Sequence, residues 1–390
     1  MIVLIRGRGR SLIILVIIGL FGFMPNAHPS ISVPNVSTSA PDYWPTTGWL
    51  TSTPEEQGMN SSLLDEFVDA LDYGHSCLSY LVIKNGYLIL EGYPDPDYNE
   101  STLKQVWSVT KSFTSALVGM ALGAGNLTSL DELVVDFFPD KTIANLDEDK
   151  QSITVEHLLT MTAGFEIGTG MSASPDWIQY ALDRPMVDVP GETFNYDNGA
   201  SHLLSAIVNR TTGIPTQSYA DTRLFQPLGI SDYEWELDPQ GVAAGCSGLS
   251  ITPRDMAKFG FLYLNNGTWD GEQIVPSTWV SASTQVQAPG ETGTPGHYYG
   301  FQWWIDPSID AYNAYGANGQ IIWVQPENDL IVVFTSSGQN YHWLIPMFIV
   351  PAILPTTTTT PTPFDPLLIG LFGGIGVGVV LIAIVVLRRR

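Results

Sequence analysis

Trp107-Ser108-Val109-Thr110-Lys111-Ser112-Phe113-Thr114-Ser115 is the stretch on which the reading of this chain turns. From residue 108 to 122 apolar side chains recur at helical spacing, with Phe113, Leu117 and Met120 on one face. A serine three residues before a lysine shares its helical face, so the amine can serve the hydroxyl as a base. Ser108 would open the helix, where backbone N–H groups and the dipole favour a developing oxyanion. Lys111 would lie one turn inside, in a partly dry site where the neutral amine is accessible. A plain Ser cap with a solvated Lys fits this stretch equally well. The same spacing at Ser101-Thr102-Leu103-Lys104 follows Asp95, Pro96, Asp97 and Asn99 and starts no helix. It lacks the shared face.

Two further elements add chemistry. Tyr196-Asp197-Asn198 follows the turn Pro190-Gly191. A phenol beside a lysine can relay protons, and an amide can orient both the lysine and a substrate carbonyl. Tyr263-Leu264-Asn265 has the same spacing but ends an apolar helix, and reads as core plus C-cap. The other element is Ala314-Tyr315-Gly316-Ala317-Asn318-Gly319-Gln320, entering a late strand. Its glycines allow a substrate close to the strand, and the Ala317 N–H would then be a second oxyanion donor opposite Ser108. The alternative is a glycine-rich turn.

Around these elements the body reads as α+β. A helix capped by Asn60 or Ser61 runs through Leu63, Leu64, Phe67 and Leu71 to Gly74. Strands at 79–84 and 87–92 flank Asn85-Gly86, a hairpin signal. Residues 126–290 are mostly helical or irregular, and strands return at 299–305, 320–324 and 330–335. Residues 343–354, with Pro346 and Pro351, pack on the sheet. The expected architecture is an antiparallel sheet flanked by helices, completed by both ends of the body, with a mainly helical subdomain inserted.

The order Ser-x-x-Lys, Tyr-x-Asn, Gly-bearing strand resembles the serine β-lactamase/penicillin-binding-protein superfamily. More closely it resembles the class C β-lactamase-like serine hydrolases, and among them the 6-aminohexanoate-dimer hydrolase/esterase-type subgroup. The likeness extends to residues 157–164, 190–196 and 253–260, and to Gly319-Gln320 with Pro326. It implies a β-lactamase/transpeptidase-like fold over 48–354, with an α/β part at about 48–128 and 291–354 and a helical part at about 129–290. It further implies an acyl-enzyme mechanism. Ser108 would be the nucleophile, Lys111 its base, Tyr196 the proton shuttle and Asn198 the orienting amide. Backbone N–H groups of Ser108 and Ala317 would hold the oxyanion, and Ala314, Tyr315 and Gly316 would form the substrate-binding strand. Where β-lactamases and DD-peptidases place Lys or His, this chain has Ala314. No cation would pair with a substrate carboxylate there, which favours an ester or amide lacking one. The alternatives are a β-lactamase or D-amino-acid peptidase, and a non-catalytic ligand-binding or surface interaction protein on the same fold.

The termini suggest where this body works. Arg6, Arg8 and Arg10 precede an apolar run from 12 to 24, so 1–27 reads as a signal peptide or signal anchor, followed by a low-complexity leader at 28–47. Residues 367–387 are apolar throughout and Arg388, Arg389 and Arg390 follow. As a helix they would span ~32 Å, enough for a hydrocarbon core. The arginines would be cytoplasmic, and the Pro/Thr segment 355–366 an external stalk of roughly 35 Å. The expectation is a single-pass protein of the cell membrane with its catalytic domain extracellular. Sequons at Asn35, Asn60, Asn99, Asn126, Asn209 and Asn266 fit that placement. Cys77 and Cys246 form either one disulfide or two buried thiols.

Composition removes other classes. The 390 residues carry 39 acids and 16 bases, for a net charge of −23, and phosphate neutralisation needs clustered cations. No nucleic-acid partner is expected. Neither a Gly-x-Ser-x-Gly elbow nor His-Glu-x-x-His occurs, so neither an α/β-hydrolase nor a metallohydrolase is expected, and no metal or cofactor. His157 and His202 lie among helical leucines and read as structural. Asp131, Asp136 and Asp255 read as caps or turn anchors.

Overall fold

Asn85 and Gly86 both take left-handed backbone angles, with φ of 52° and 82°, as a tight hairpin turn requires. They join strands Cys77–Lys84 and Tyr87–Gly92. In this computed structural model, which describes residues 2–7, 10–15, 41–71, 76–290 and 297–354, that hairpin forms one edge of an eight-stranded sheet. From the other edge the order is Ala288–Pro289, Tyr298–Tyr299, Trp304–Asp306, Ala311–Gly316, Gln320–Gln325, Leu330–Ser336, then the hairpin. Every neighbouring pair is antiparallel. Cys77–Lys84 pairs with Leu330–Ser336, so both ends of the body complete the sheet.

The two sheet faces carry separate cores. Leu81, Ile83, Ile322, Val324, Ile331 and Val333 point into one. Val82, Trp323, Val332 and Phe334 alternate into the other. Because both faces are covered, all eight residues of Cys77–Lys84 are buried. The second face is covered by the helix Ser61–Leu71, capped by Asn60 Oδ1 on Ser62 N–H (2.9 Å), and by the chain's return through Leu344, Ile345 and Ile349. The prolines of 343–354 therefore sit in short turns on the sheet.

The first face receives the helix Pro253–Leu264, started by Thr252 and Pro253. Gly260 permits the approach, since a Cβ there would lie 2.9 Å from Ile322 and 3.1 Å from Ile331. The helical part expected at 129–290 thus differs from the observed one. Pro253–Leu264 lies on the sheet, and Ala288–Pro289 is a sheet strand. The intervening region also holds a three-stranded sheet, in which Leu249–Ile251 pairs with Lys104–Gln105 and with Glu234–Trp235.

Two strand expectations change. The stretch 299–305 is not one strand: it folds back at Gly300–Trp303, where Gln302 has φ 64°, into the pair Tyr298–Tyr299 and Trp304–Asp306. Alternating apolar residues hid the turn because Phe301 and Trp303 are themselves buried. A separate strand, Ala311–Gly316, precedes the Ala317–Gly319 turn. Cys77 and Cys246 are free, buried thiols in different clusters, so of the two readings the structure has the pair of buried thiols. Burial pushes the Cys77 thiol up to about 12.

The described residues before Tyr43 belong to a separate unit, in which Ile2–Gly7 pairs antiparallel with Arg10–Leu15. The rest of the apolar run to residue 24 lies outside the described residues, as do 355–366 and 367–387. Among the described residues no helix is long and apolar enough to cross a membrane.

The thiol assignment is directly measurable. Titration with a disulfide reagent in denaturant, without reductant, should find two thiols per chain, and the native protein should react slowly. No reactive thiol in denaturant would restore the disulfide.

Candidate active site

The helix Thr110–Gly123 is buried from Thr110 through Ala121, although five of those positions are Ser, Thr or Lys. Most of these polar groups are answered by one loop. Thr110 Oγ1 accepts from Leu249 N–H (3.4 Å), and Thr114 Oγ1 donates to the Gly245 carbonyl (2.9 Å). Lys111 Nζ donates to the Cys246 carbonyl (2.9 Å). On the other side of the loop, Ser205 Oγ donates to the Ala243 carbonyl (2.7 Å). Gly245 makes this threading feasible, because a Cβ would stand 2.2 Å from the Ser201 carbonyl oxygen. The loop is thus held between the helix Thr110–Gly123 and the helix Asn198–Thr212.

Lys111 is 1% exposed and makes two further bonds, to Ser108 Oγ (2.9 Å) and Asn198 Oδ1 (2.8 Å). Its Nζ lies 4.8 Å from the centroid of the Tyr196 ring. The structure therefore brings Ser108, Lys111, Tyr196 and Asn198 together from segments 85 or more residues apart. Tyr196 is held by its ring, stacked on Trp304 at 5.5 Å and edge-on to Tyr299. Phe194 closes the same aromatic wall.

Ser108 sits in a single turn, Trp107–Val109, that precedes the helix. Trp107 has φ 51°, a strained value for a bulky residue, directly before the serine. Against this turn lies Gly316. A Cβ there would be 2.3 Å from the Val106 carbonyl oxygen, 3.1 Å from Ser108 N and 3.2 Å from Val109 N. Ala317 follows by one residue in an exposed turn. Gln320 pins that turn, donating from Nε2 to the Ala317 carbonyl (3.2 Å) and the Ser336 carbonyl (2.7 Å). Of the expected substrate strand, Ala314 is 1% exposed and packed in the core. Tyr315 is half-buried, and its hydroxyl accepts from Asn340 Nδ2 (2.9 Å).

The rejected spacings stay apart. Ser101 is exposed in a loop and Lys104 belongs to a short strand, while Tyr263 is core and Asn265 caps its helix. His157 completes a capping box with Thr154, and His202 is fully buried against Asp238 at 3.0 Å. Among the described residues no group of His, Cys, Asp and Glu could hold a metal ion.

Sequence reasoning missed Gln302. It is 2% exposed, accepts from Ser201 Oγ (2.7 Å) and donates to the carbonyls of Leu158 and Leu159. Its own carbonyl accepts from Ser112 Oγ (2.7 Å), so one glutamine binds three helices behind the site. It also missed Arg184, which grips Asp197. A buried Gln at a turn carries no local pattern, and a lone Arg 13 residues upstream of an Asp carries none either.

The chain is 28% identical over 162 residues to the 6-aminohexanoate-dimer hydrolase of Paenarthrobacter ureafaciens, covering 38% of this chain and 41% of that one. It is 30% identical over 152 residues to Esterase EstB of Burkholderia gladioli, covering 34% and 38%. Both matches thus span less than half of the relative's length. The fold resembles the octameric penicillin-binding protein homologue from Pyrococcus abyssi, with TM-score 0.62, 22% identity, and 76% and 78% of the two chains covered. Residues 60–343 match the family described as Beta-lactamase, well over half of the sequence. The chain belongs to the Beta-lactamase family of serine hydrolases.

Proposed function

We propose that this protein hydrolyses an ester or amide through an acyl-enzyme on Ser108, and that residues 367–387 tether it to the outside of a cell membrane. The observation that carries the catalytic reading is the position of Lys111 Nζ, within 2.9 Å of Ser108 Oγ, Asn198 Oδ1 and the Cys246 carbonyl at once. Three acceptors match the three N–H bonds of an ammonium. In the neutral amine, two N–H bonds keep Asn198 and Cys246, and the lone pair is left facing the serine hydroxyl.

Lys111 then takes the Oγ proton as the Oγ–carbon bond forms. The oxyanion is held by the N–H groups of Ser108 and Ala317. As it collapses, the bond to the leaving oxygen or nitrogen breaks, and the proton passes through Tyr196 to that atom. Water, activated by Tyr196 with Lys111, repeats the sequence on the acyl-enzyme and frees Ser108. Substrates without an adjacent carboxylate are favoured because Ala314 supplies no cation. The names of the two relatives, a 6-aminohexanoate-dimer hydrolase and an esterase, support an amide or ester as the bond that is cleaved. The tether reading rests on the apolar length of 367–387, the Pro/Thr segment before it and the three arginines after it.

The protein should turn over short p-nitrophenyl esters and take a covalent label at Ser108 from a serine-reactive phosphonate. Ser108→Ala should abolish both, and Lys111→Ala should lower kcat by about 10³-fold or more. A folded protein that does neither would be a binder and not an enzyme. Nitrocefin should be cleaved slowly or not at all; brisk turnover would reinstate the β-lactamase alternative. Gly316→Ala places a methyl group against the Val106 carbonyl and moves the strand off Ser108, so kcat should fall by about 10²-fold. Its far-ultraviolet circular dichroism should match the wild type. Ending the chain at Pro366 should move active protein from the membrane fraction to the soluble one. An unchanged distribution would remove the tether.

A further inference from the structure

Between Tyr196 and Asn198 stands Asp197, 4% exposed. Its carboxylate accepts from the N–H groups of Gly199 (2.8 Å) and Ala200 (3.1 Å) and so caps the helix that begins at Asn198. The same two oxygens receive a two-pronged grip from Arg184, with Nη1 to Oδ1 at 2.7 Å and Nη2 to Oδ2 at 2.8 Å. Arg184 is 6% exposed. It donates to the carbonyls of Ala181 and Glu166 (each 3.2 Å), and its guanidinium carbon lies 4.7 Å from the centre of the Phe165 ring. Gly199 is needed for this packing, since a Cβ would sit 2.4 Å from Nη2.

Capping alone does not account for the arginine. An Asp caps a helix unaided. A cation against a helix N-terminus is electrostatically unfavourable, and a buried ion pair adds little stability over an apolar pair. What the guanidinium adds is a fixed plane: two parallel bonds stop the carboxylate from turning. Because that carboxylate also binds the backbone of residues 199 and 200, the fork sets the path of the chain through 196–198. On one side of Asp197 is the ring under Lys111, and on the other the amide that Lys111 touches.

Resting on the hydrolase reading, we infer that the Arg184–Asp197 pair is the positioning device of the catalytic loop. It holds Tyr196 and Asn198 in register with Lys111, and neither Arg184 nor Asp197 touches the substrate. A misplacement of about 1 Å in such groups costs roughly 10²-fold in rate. The loss should fall chiefly on kcat, because the groups displaced, the Tyr196 phenol and the Asn198 amide that binds Lys111, are those that serve proton transfer. Arg184 also lines an open cleft of about 480 Å³ with Glu166, Asp176, Tyr180 and Asp183. A small guanidinium ion can reach the vacated position through it.

The test uses the full chain and a p-nitrophenyl ester. Arg184→Ala should lower kcat by about 10²-fold with KM within about threefold of wild type. Added ethylguanidinium should recover at least about tenfold of that loss, and should not stimulate wild type or Lys111→Ala. Arg184→Lys, which keeps the charge and loses the fork, should show a smaller loss in kcat; it decides the matter if the alanine variant does not fold. Unchanged kcat in a folded variant overturns the assignment. So does a loss that appears as a lower melting temperature alone, with normal kcat below it. If wild type itself hydrolyses no ester, the hydrolase reading fails, and the positioning role with it. Active wild type beside equally active variants sinks only the positioning role.

Discussion

A primary amine buried to 1% exposure is the constraint to which the catalytic half of this molecule answers. Desolvating Lys111 without partners would be costly, so each of its N–H bonds must meet an acceptor. The three acceptors come from three places: the turn before its own helix, the start of the Asn198 helix, and the loop through Cys246. Burying the lysine therefore forces those segments together. The polar residues Thr110, Ser112 and Thr114 look misplaced in a buried helix until this is seen. They fasten the same helix to the loop and to Gln302.

The sheet's role follows from a single missing side chain. Strand Ala311–Gly316 can run up to the turn Trp107–Val109 only because Gly316 has no Cβ to strike the Val106 carbonyl. That contact brings the rigid edge of a strand beside Ser108 N, and Gln320 then fixes the turn that carries Ala317. Backbone donors mounted this way need no reorganisation as charge develops, which is the condition for effective oxyanion stabilisation. Trp107, held at φ 51° beside them, is consistent with a turn over-determined by its surroundings.

These features were legible to different degrees. Ser108 and Lys111 could be separated from Ser101 and Lys104 because one pair opened an apolar helix and the other lay in a polar loop. Tyr196 could be separated from Tyr263 by the same local context. The strands Cys77–Lys84, Tyr87–Gly92, Gln320–Gln325 and Leu330–Ser336 and the Asn85-Gly86 turn were readable from apolar runs and turn chemistry. The hairpin within 299–305 was not, since Phe301 and Trp303 at its tip are buried and mimic strand residues. Cys77 and Cys246 could not be placed, because pairing depends on which core each enters. Arg184 and Gln302 were invisible for a related reason. Their partners are carbonyls and carboxylates brought near by tertiary folding, and a side chain that answers a distant backbone leaves no periodic trace.

Charge completes the account. Setting aside the six terminal arginines leaves ten cations against 39 acids. In so acidic a body every cation buried near the site needs a structural reason. Lys111 has one in its three acceptors, and Arg184 has one in the carboxylate of Asp197. Both buried cations are thus fully occupied by the protein's own acceptors. Around Lys111 the packing is aromatic instead: its amine lies over the Tyr196 ring, which stacks on Trp304, and Phe194 and Tyr299 close the same wall.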